Sequence, residues 1–174
     1  LEGRRIIQKV LDLRSLLEQE GIPVEIVSTG ETWSYDIAGD MPGVTEIQGG
    51  SYIFMDTHYS YMSEFKFAAK VLGTIISTPR PGTAIGDIGT KAIGTPTDAA
   101  LPTVDGMSGV WVEALHAEHT LLKLERQASL KVGDKFALIV DRQDPMVNRW
   151  DHYSVVRQGR LEAVWDIPAR GCLT

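Results

Sequence analysis

One cysteine, one asparagine and no long apolar run set the first limits on this chain of 174 residues. Cys172 stands alone, so no intrachain disulfide forms and nothing signals an oxidising compartment. The expected setting is cytoplasmic. No stretch approaches the roughly 18 apolar residues of a membrane-spanning helix, and the basic-then-apolar layout of a signal peptide is missing. An excess of basic charge is missing too. With 17 Lys and Arg against 23 Asp and Glu the chain carries a net charge of −6, which argues against nucleic acid or an anionic membrane as a partner. Small anionic ligands remain open. The chain opens LEGRR, without an initiator methionine and already in a helical pattern, so it is expected to start part-way through a larger structure. Internal repeats and low-complexity blocks are also absent.

What is present divides into two parts. Ile6, Ile7, Val10, Leu11, Leu13, Leu16 and Leu17 recur at helical spacing and end at Gly21 and Pro23, which predicts an amphipathic helix. IPVEIVS then predicts a short strand, followed by the small-residue turn Ser28-Thr29-Gly30 and a second short helix over about Glu31 to Ala38. Helix, strand, loop and helix is the rhythm of a parallel α/β layer. One such strand is not a sheet, and its backbone groups need partner strands from elsewhere. From about residue 50 the pattern changes to short apolar runs broken by Gly, Pro and Asp: SYIFMD, KFAAKVLGTIIST, TAIGDIG, GVWVEALH, KFALIVD and YSVVRQGRLEAVWDI. This is an all-β cadence, with a tight turn at KVGDK and a hairpin turning at Gln158-Gly159. RPGTAIG and GTPTDAALPTVDG read as loops. The expected division is therefore an α/β part over 1–45 and a β domain over 46–174.

EIVSTGETWSYDIAG places hydroxyls and a glycine where a strand runs into a helix. Unbonded N–H groups and the positive end of the helix dipole suit an anion such as phosphate there. An ordinary capped helix start reads the same way. GDIGTKA is not a P-loop, because Lys91 does not directly follow a glycine and no Ser or Thr comes after it. In HAEH, His116 and His119 are three apart and would share a helix face, but the pattern is not HExxH.

Read together, several segments resemble the pyridoxal-phosphate enzymes of the D-threonine aldolase and D-serine dehydratase type, related to the alanine racemase fold. VSTGETWSYD is similar to that family's VSGGGTGTYD, and TEIQGGSYIFMDTHY to its TExQxGSYVFMDxxY. GDIGTKAIG resembles VDAGSKALS, LHAEHTLLKL resembles LSEEHGxL, and the segment from KVGDK through RQDPMVN to IPARG resembles the family's closing segment. The resemblance runs from about residue 22 onward. It implies α/β plus all-β architecture, with the last helix and strand of a (β/α)₈ barrel ahead of a β-rich C-terminal domain.

The resemblance also implies roles. Ser28, Thr29, Gly30 and Thr32 would hold the phosphate of pyridoxal 5′-phosphate, with Tyr52 close by or simply packed in the core. The Schiff-base lysine of the family lies near the start of the barrel, so none of Lys9, Lys66, Lys70, Lys91, Lys123, Lys131 and Lys135 takes that part, and Lys91 is expected at the surface. Thr29, Glu31 and Trp33 stand at glycine-favoured positions. Family members bind a divalent ion through HxDPTVN or HxCPTVN, whereas this chain has Arg142 for the histidine and Asp144 for the second ligand. A guanidinium stays protonated and cannot ligate a metal. Either Asp141, Asp144, Glu118 and His119 form an oxygen-rich site for Mg, Mn or Zn, or the Arg142 cation itself holds a substrate carboxylate or alkoxide. A solvated Arg142–Asp144 turn is the plain alternative. Glu118 and His119 are the candidate proton donors and acceptors at a substrate hydroxyl, or a local cap. Asn148 reads as a turn residue.

The implied activity is that of a lyase cleaving D-3-hydroxy amino acids to glycine and an aldehyde. A dehydratase for D-serine or 3-hydroxyaspartate, or a racemase of the same fold, stays open, as does a non-catalytic dimerisation or binding module. The implied partners are a small D-amino acid, an N-terminal barrel preceding this segment, and a second copy in a homodimer.

Overall fold

The computed structural model describes residues 2–94 and 99–172. The chain forms two compact units, one of Leu1–Ile53 with Tyr61–Phe65 and one of Phe54–Ser60 with Lys66–Thr174.

The first unit opens with α1, Glu2–Gln19. The apolar stripe predicts this helix, and Gly21 ends it at φ +78°. The Gly21 N–H then reaches the Glu18 carbonyl and the Ile22 N–H the Leu17 carbonyl, the paired bonds of a left-handed helix stop. Ile7 is buried with Ala38 and Met41, and Leu11, Ile37 and Val44 pack round them. Ile6, Val10, Leu13 and Leu16 stay exposed in this unit. IPVEIVS is extended but is not a sheet strand. Its one bridge is a parallel pairing of Ser28 with Glu46, because the segment beside it is a single short stretch while Ile22 and Ile26 face outward. The predicted second helix is present as a 3₁₀ turn over Thr32–Ser34 that runs into α2, Tyr35–Gly39. SYIFMD contains no strand: Ser51–Ile53 is a 3₁₀ turn, and Met55 bends the chain at φ +54°.

The second unit is built on strands β1 (Val71–Arg80), β2 (Thr83–Gly86), β3 (Thr103–Val104), β4 (Val110–Leu115), β5 (Thr120–Leu124) and β6 (Lys135–Ile139). They form one antiparallel sheet in the order β3-β6-β1-β2-β5-β4. β1 pairs with β6 along Val71–Thr74 and with β2 from Ile75 onward, with register shifts between, so the long strand turns a corner. β3 and β4 lie at opposite ends of the order yet touch, which curls the sheet into a barrel-like form. Two short helices interrupt it, α3 (Thr90–Ile93) after β2 and α4 (Gln143–Val147) after β6. β7 (His152–Arg157) and β8 (Arg160–Asp166) make a separate hairpin. It turns at Gln158 and Gly159, with φ of +49° and +75°, the two positive angles that match the twist of paired strands. KVGDK closes as expected, with Gly133 at φ +96° and the Asp134 N–H on the Lys131 carbonyl. HAEH is not helical. The His116 N–H bonds the His119 carbonyl at 2.8 Å, so these residues are the tight turn from β4 to β5. The alternation of buried positions on either side, Val112 against Thr120 and Leu122, prevails over the three-residue histidine spacing.

The core gathers Val71, Ile75, Ala84, Leu122, Phe136 and Leu138 with Ile88, Ile93 and Met146. Phe136 is 1% exposed and lies across two glycines. A Cβ on Gly86 would stand 2.2 Å from its ring and a Cβ on Gly73 2.8 Å from it. Gly86→Ala is expected to destabilise the domain by about 1–3 kcal/mol through overpacking, and Phe136→Ala by about 3–5 kcal/mol through its cavity. In urea unfolding the double variant should lose clearly less than the sum of the two. Strict additivity would show that the ring and the glycine do not share this space.

Candidate functional site

The turn after the extended segment is held in the first unit by specific bonds. Thr29 donates its N–H to the Glu46 carbonyl at 3.1 Å, and Gly30 accepts the Gln48 N–H at 3.0 Å. Gly30 sits at φ +87°, and a Cβ there would be 2.7 Å from that of Ala38, so glycine is required for both angle and space. Ser34 Oγ accepts the Glu31 N–H at 3.0 Å, and the Ser34 N–H returns to the Glu31 carbonyl. Thr32 is buried, and its Oγ1 accepts the Tyr52 N–H at 3.2 Å. Thr32 and Ser34 therefore keep their hydroxyl protons, and the N–H groups of Gly30, Thr32 and Trp33 bond no acceptor among the described residues. This donor set suits a dianion. Ser28 belongs to it least, because its hydroxyl is given to the Glu46 carboxylate.

Glu31 and Trp33, two of the three departures from the family pattern, partner each other. The Trp33 indole N–H donates to the Glu31 carboxylate at 3.1 Å, and the ring packs on Gly3 of α1. Tyr52 is half exposed, with its ring 6.0 Å from that of Phe65. It is an edge residue of the loop and not a core aromatic.

In the second unit, Arg142 is the cap residue of α4 and Asp144 lies exposed in its first turn. The Asp141 carboxylate accepts the Thr57 hydroxyl at 3.3 Å and the Ala100 N–H at 3.1 Å, and Arg142 Nε stands 3.7 Å from it. Asp56 is 3% exposed. Its Oδ2 accepts the Gln143 N–H at 3.2 Å, and its Oδ1 has no hydrogen-bond partner among the described residues. Burial pushes this carboxyl above its ordinary range. The Gln143 N–H and the charges of His58 and Arg142 oppose the shift, and Asp141 adds to it.

A groove of about 230 Å³ lies between α3, the β4–β5 turn and the far end of α4. Asp87, Lys91, Glu118, Arg149 and Trp150 line it over a floor of Gly89, Ala92 and Ala117. The α3 start docks directly on the turn, with the Thr90 N–H on the His116 carbonyl and the Lys91 N–H on the Ala117 carbonyl. A Cβ on Gly89 would come 2.4 Å from that carbonyl oxygen, which explains the second glycine of GDIGTKAIG. The Lys91 ammonium bonds the Glu118 carboxylate and holds it below its ordinary pKa.

Residues 68–156 match the family described as "Putative serine dehydratase domain". The chain belongs to this family. It is 34% identical to 3-hydroxy-D-aspartate aldolase of Paracoccus denitrificans, over 95% of this chain and 44% of that protein. The crystal structure of D-threonine aldolase from Filomicrobium marinum superposes with a TM-score of 0.88 at 28% identity, over 95% of this chain and 47% of the other. An alanine-racemase-like protein from Idiomarina loihiensis shares the fold, with a TM-score of 0.75 at 22% identity over 88% and 46% of the two chains. The chain thus spans less than half the length of these relatives, as their C-terminal portion. It combines the closing helix and extended segment of a (β/α)₈ barrel with a β-rich C-terminal domain.

In this member of the serine dehydratase domain family the predicted residues fall into three groups. Ser28, Thr29, Gly30, Thr32 and Tyr52 come together in the first unit. Glu118 lines the groove with Lys91, while His119 lies at the exposed end of the same turn. Arg142 and Asp144 stand at the head of α4 and do not line it. The oxygen-rich metal site is not formed: no group of three or more His, Cys, Asp or Glu gathers among the described residues. Asp141 spends its oxygens on Thr57 and Ala100, and Glu118 spends its charge on Lys91. Asp56, Arg149 and Trp150 escaped sequence reasoning, although each sits inside or beside a matched segment, FMD or PMVN. No helix among the described residues is long and apolar enough to cross a membrane.

The Asp56 shift has a sign that can be checked. With its pKa raised in the folded state, the carboxyl binds a proton more readily folded than unfolded. Acidification should therefore stabilise the wild type relative to Asp56→Asn. The gain should begin as pH falls through the raised value and be complete below the unfolded value near 3.8. Urea unfolding at several pH values measures it, and a pH-independent difference between the two proteins would contradict a desolvated carboxyl.

Proposed function

We propose that this chain supplies the C-terminal part of a pyridoxal-phosphate lyase acting on D-3-hydroxy amino acids, in the manner of D-threonine aldolase or 3-hydroxy-D-aspartate aldolase. The observation that carries the cofactor is the donor set at the turn: three N–H groups without acceptors and two uncommitted hydroxyl protons, around a glycine that cannot be replaced. Gly30, Thr32 and Trp33 would present N–H groups to the phosphate, and Thr32 and Ser34 their hydroxyls. Thr29 contributes the path of the loop, and Ser28 orients Glu46. The paired Glu31 and Trp33 keep that carboxylate bonded to an indole donor. Pyridoxal phosphate supplies an electron sink that lets a bond at the substrate Cα break.

The remaining roles fall to side chains of this chain. Arg142 keeps its guanidinium charged and only loosely paired with Asp141, which leaves it able to hold a substrate carboxylate or a developing alkoxide. Asp144, without a histidine partner, orients the turn and does not hold an ion. His119, exposed at its turn, moves the proton of the substrate hydroxyl, with Glu118 kept ionised beside it by Lys91. In this reading a (β/α)₈ barrel precedes the segment and covers the exposed Ile6, Val10, Leu13 and Leu16 of α1 together with Ile22 and Ile26. The enzyme is cytoplasmic and homodimeric.

The test uses the intact protein, with its barrel. It should carry a visible cofactor band that borohydride abolishes, and it should convert D-threonine or 3-hydroxy-D-aspartate to glycine and an aldehyde. A colourless intact protein with no such product would sink the reading in favour of a binding module. Within it, Thr32→Val should weaken cofactor affinity by roughly tenfold, the worth of one charge-assisted hydrogen bond, with thermal unfolding of the cofactor-free protein little changed. Arg142→Met should lower kcat/KM by about 100-fold or more, and EDTA should leave wild-type activity intact. Loss of activity in EDTA with recovery in Mn²⁺ or Zn²⁺ would overturn the role given to Arg142.

A further inference from the structure

The groove between α3, the β4–β5 turn and the end of α4 contains four charged side chains, and three of them are committed. The Lys91 ammonium and the Glu118 carboxylate neutralise each other. The Asp87 carboxylate accepts the Thr74 N–H at 2.7 Å, and its backbone N–H returns to the Thr74 carbonyl, which fixes its position against β1 without neutralising its charge. Arg149 has no carboxylate within salt-bridge distance among the described residues. Its guanidinium is nevertheless placed. Gly94, at φ +61°, has no room for a side chain, since a Cβ there would come 3.0 Å from Arg149 Nε and 2.6 Å from the Pro145 carbonyl oxygen. The arginine stem therefore rests against the left-handed stop of α3. The next residue, Trp150, forms a wall: its indole N–H donates to the Ala92 carbonyl at 2.9 Å, which orients the ring along the groove.

We propose that this groove is a carboxylate-binding subsite for a small organic acid, with Arg149 as its anchoring cation and Trp150 as one wall. A planar guanidinium takes a carboxylate through two parallel N–H bonds, and the Trp150 ring offers apolar surface to the acid's carbon atoms. The volume suits a molecule of a few carbon atoms and is too small for a macromolecular segment. The subsite lies at the far end of α4 from Arg142, and Glu118 borders both it and the proposed lyase site; its occupant needs neither an amine nor the cofactor, so its binding is read apart from turnover.

Succinate is a suitable probe, since it carries two carboxylates and no amine that could react with a cofactor. The uncharged succinamide is its control. Calorimetric titration of the intact protein should show succinate binding and no succinamide binding. Arg149→Gln should weaken succinate at least tenfold, with Arg149→Lys intermediate and both variants unfolding at the wild-type temperature. Succinate should also change the tryptophan fluorescence, and Trp150→Phe should remove that change. No succinate binding, or equal affinity in Arg149→Gln, overturns the subsite. So does equal loss in the Gln and Lys variants accompanied by a lowered unfolding temperature, which would make Arg149 a structural residue. Because these outcomes are read without turnover, a subsite that binds in a protein that cleaves nothing would count against the lyase reading alone.

Discussion

The contact between Phe136 and the two bare backbone positions at Gly73 and Gly86 organises the second unit. The ring comes from β6 and fills the space that side chains would take on β1 and β2, so three strands close on a single aromatic group. In a core packed to the density of an organic crystal, such a contact leaves little latitude for how β2 and β6 are placed against each other. Those two strands run directly into α3 and α4. Every charged group of the groove stands on α3, on the link that leads from β2 into it, on the turn that α3 docks against, or just beyond α4. The chemistry at the rim is therefore placed by a hydrophobic contact at the centre.

Close backbone approach recurs at the rim. Gly89 lets α3 sit on the Ala117 carbonyl, and Gly94 lets it stop against Pro145. Both glycines come from GDIGTKAIG, which matters here as a docking segment with a lysine aimed at Glu118. In the first unit Gly30 has the same role, bringing the loop against Ala38 while leaving N–H groups without acceptors. Such donors are left to water or to a ligand. Asp56 shows the same pattern with the opposite sign, a buried carboxylate oxygen with no donor next to a methionine held at positive φ. Unmet polar groups and backbone strain tend to collect where a fold has been shaped for something besides stability.

Local periodicity was a sound guide where the local pattern and the tertiary context agreed. The stripe of α1, the hairpin at Gln158-Gly159, the turn at KVGDK and the change to β structure could all be read from spacing and turn chemistry. RPGTAIG and GTPTDAALPTVDG, which read as loops, contain β2 and β3, and three further segments misled. IPVEIVS has strand propensity, but a strand is defined by its partners, and it finds one bridge. HAEH has helical spacing, yet the alternating residues on both sides belong to paired strands and leave it as their turn. SYIFMD has the composition of a strand, but Ser51–Ile53 closes as a 3₁₀ turn and Met55 stands at positive φ. Resemblance to known motifs carried the family and the loop at Gly30. It said nothing of the Glu31–Trp33 pair, whose members looked like separate misfits until their hydrogen bond was seen.

By itself, then, the amino-acid order determined most strand positions and the family, because each depends on neighbours within a few residues or on long matched segments. Only the tertiary structure decided which charges meet. Lys91 and Glu118 are 27 positions apart, and Asp56 and Gln143 are 87 apart. No spacing rule joins such pairs, since the path between them is set by how the sheet curls around its core. The same holds for what stays unpaired among the described residues. Arg149 is an ordinary surface arginine in the sequence, and it becomes an anchored cation only once α3, Gly94 and Trp150 have been folded around it.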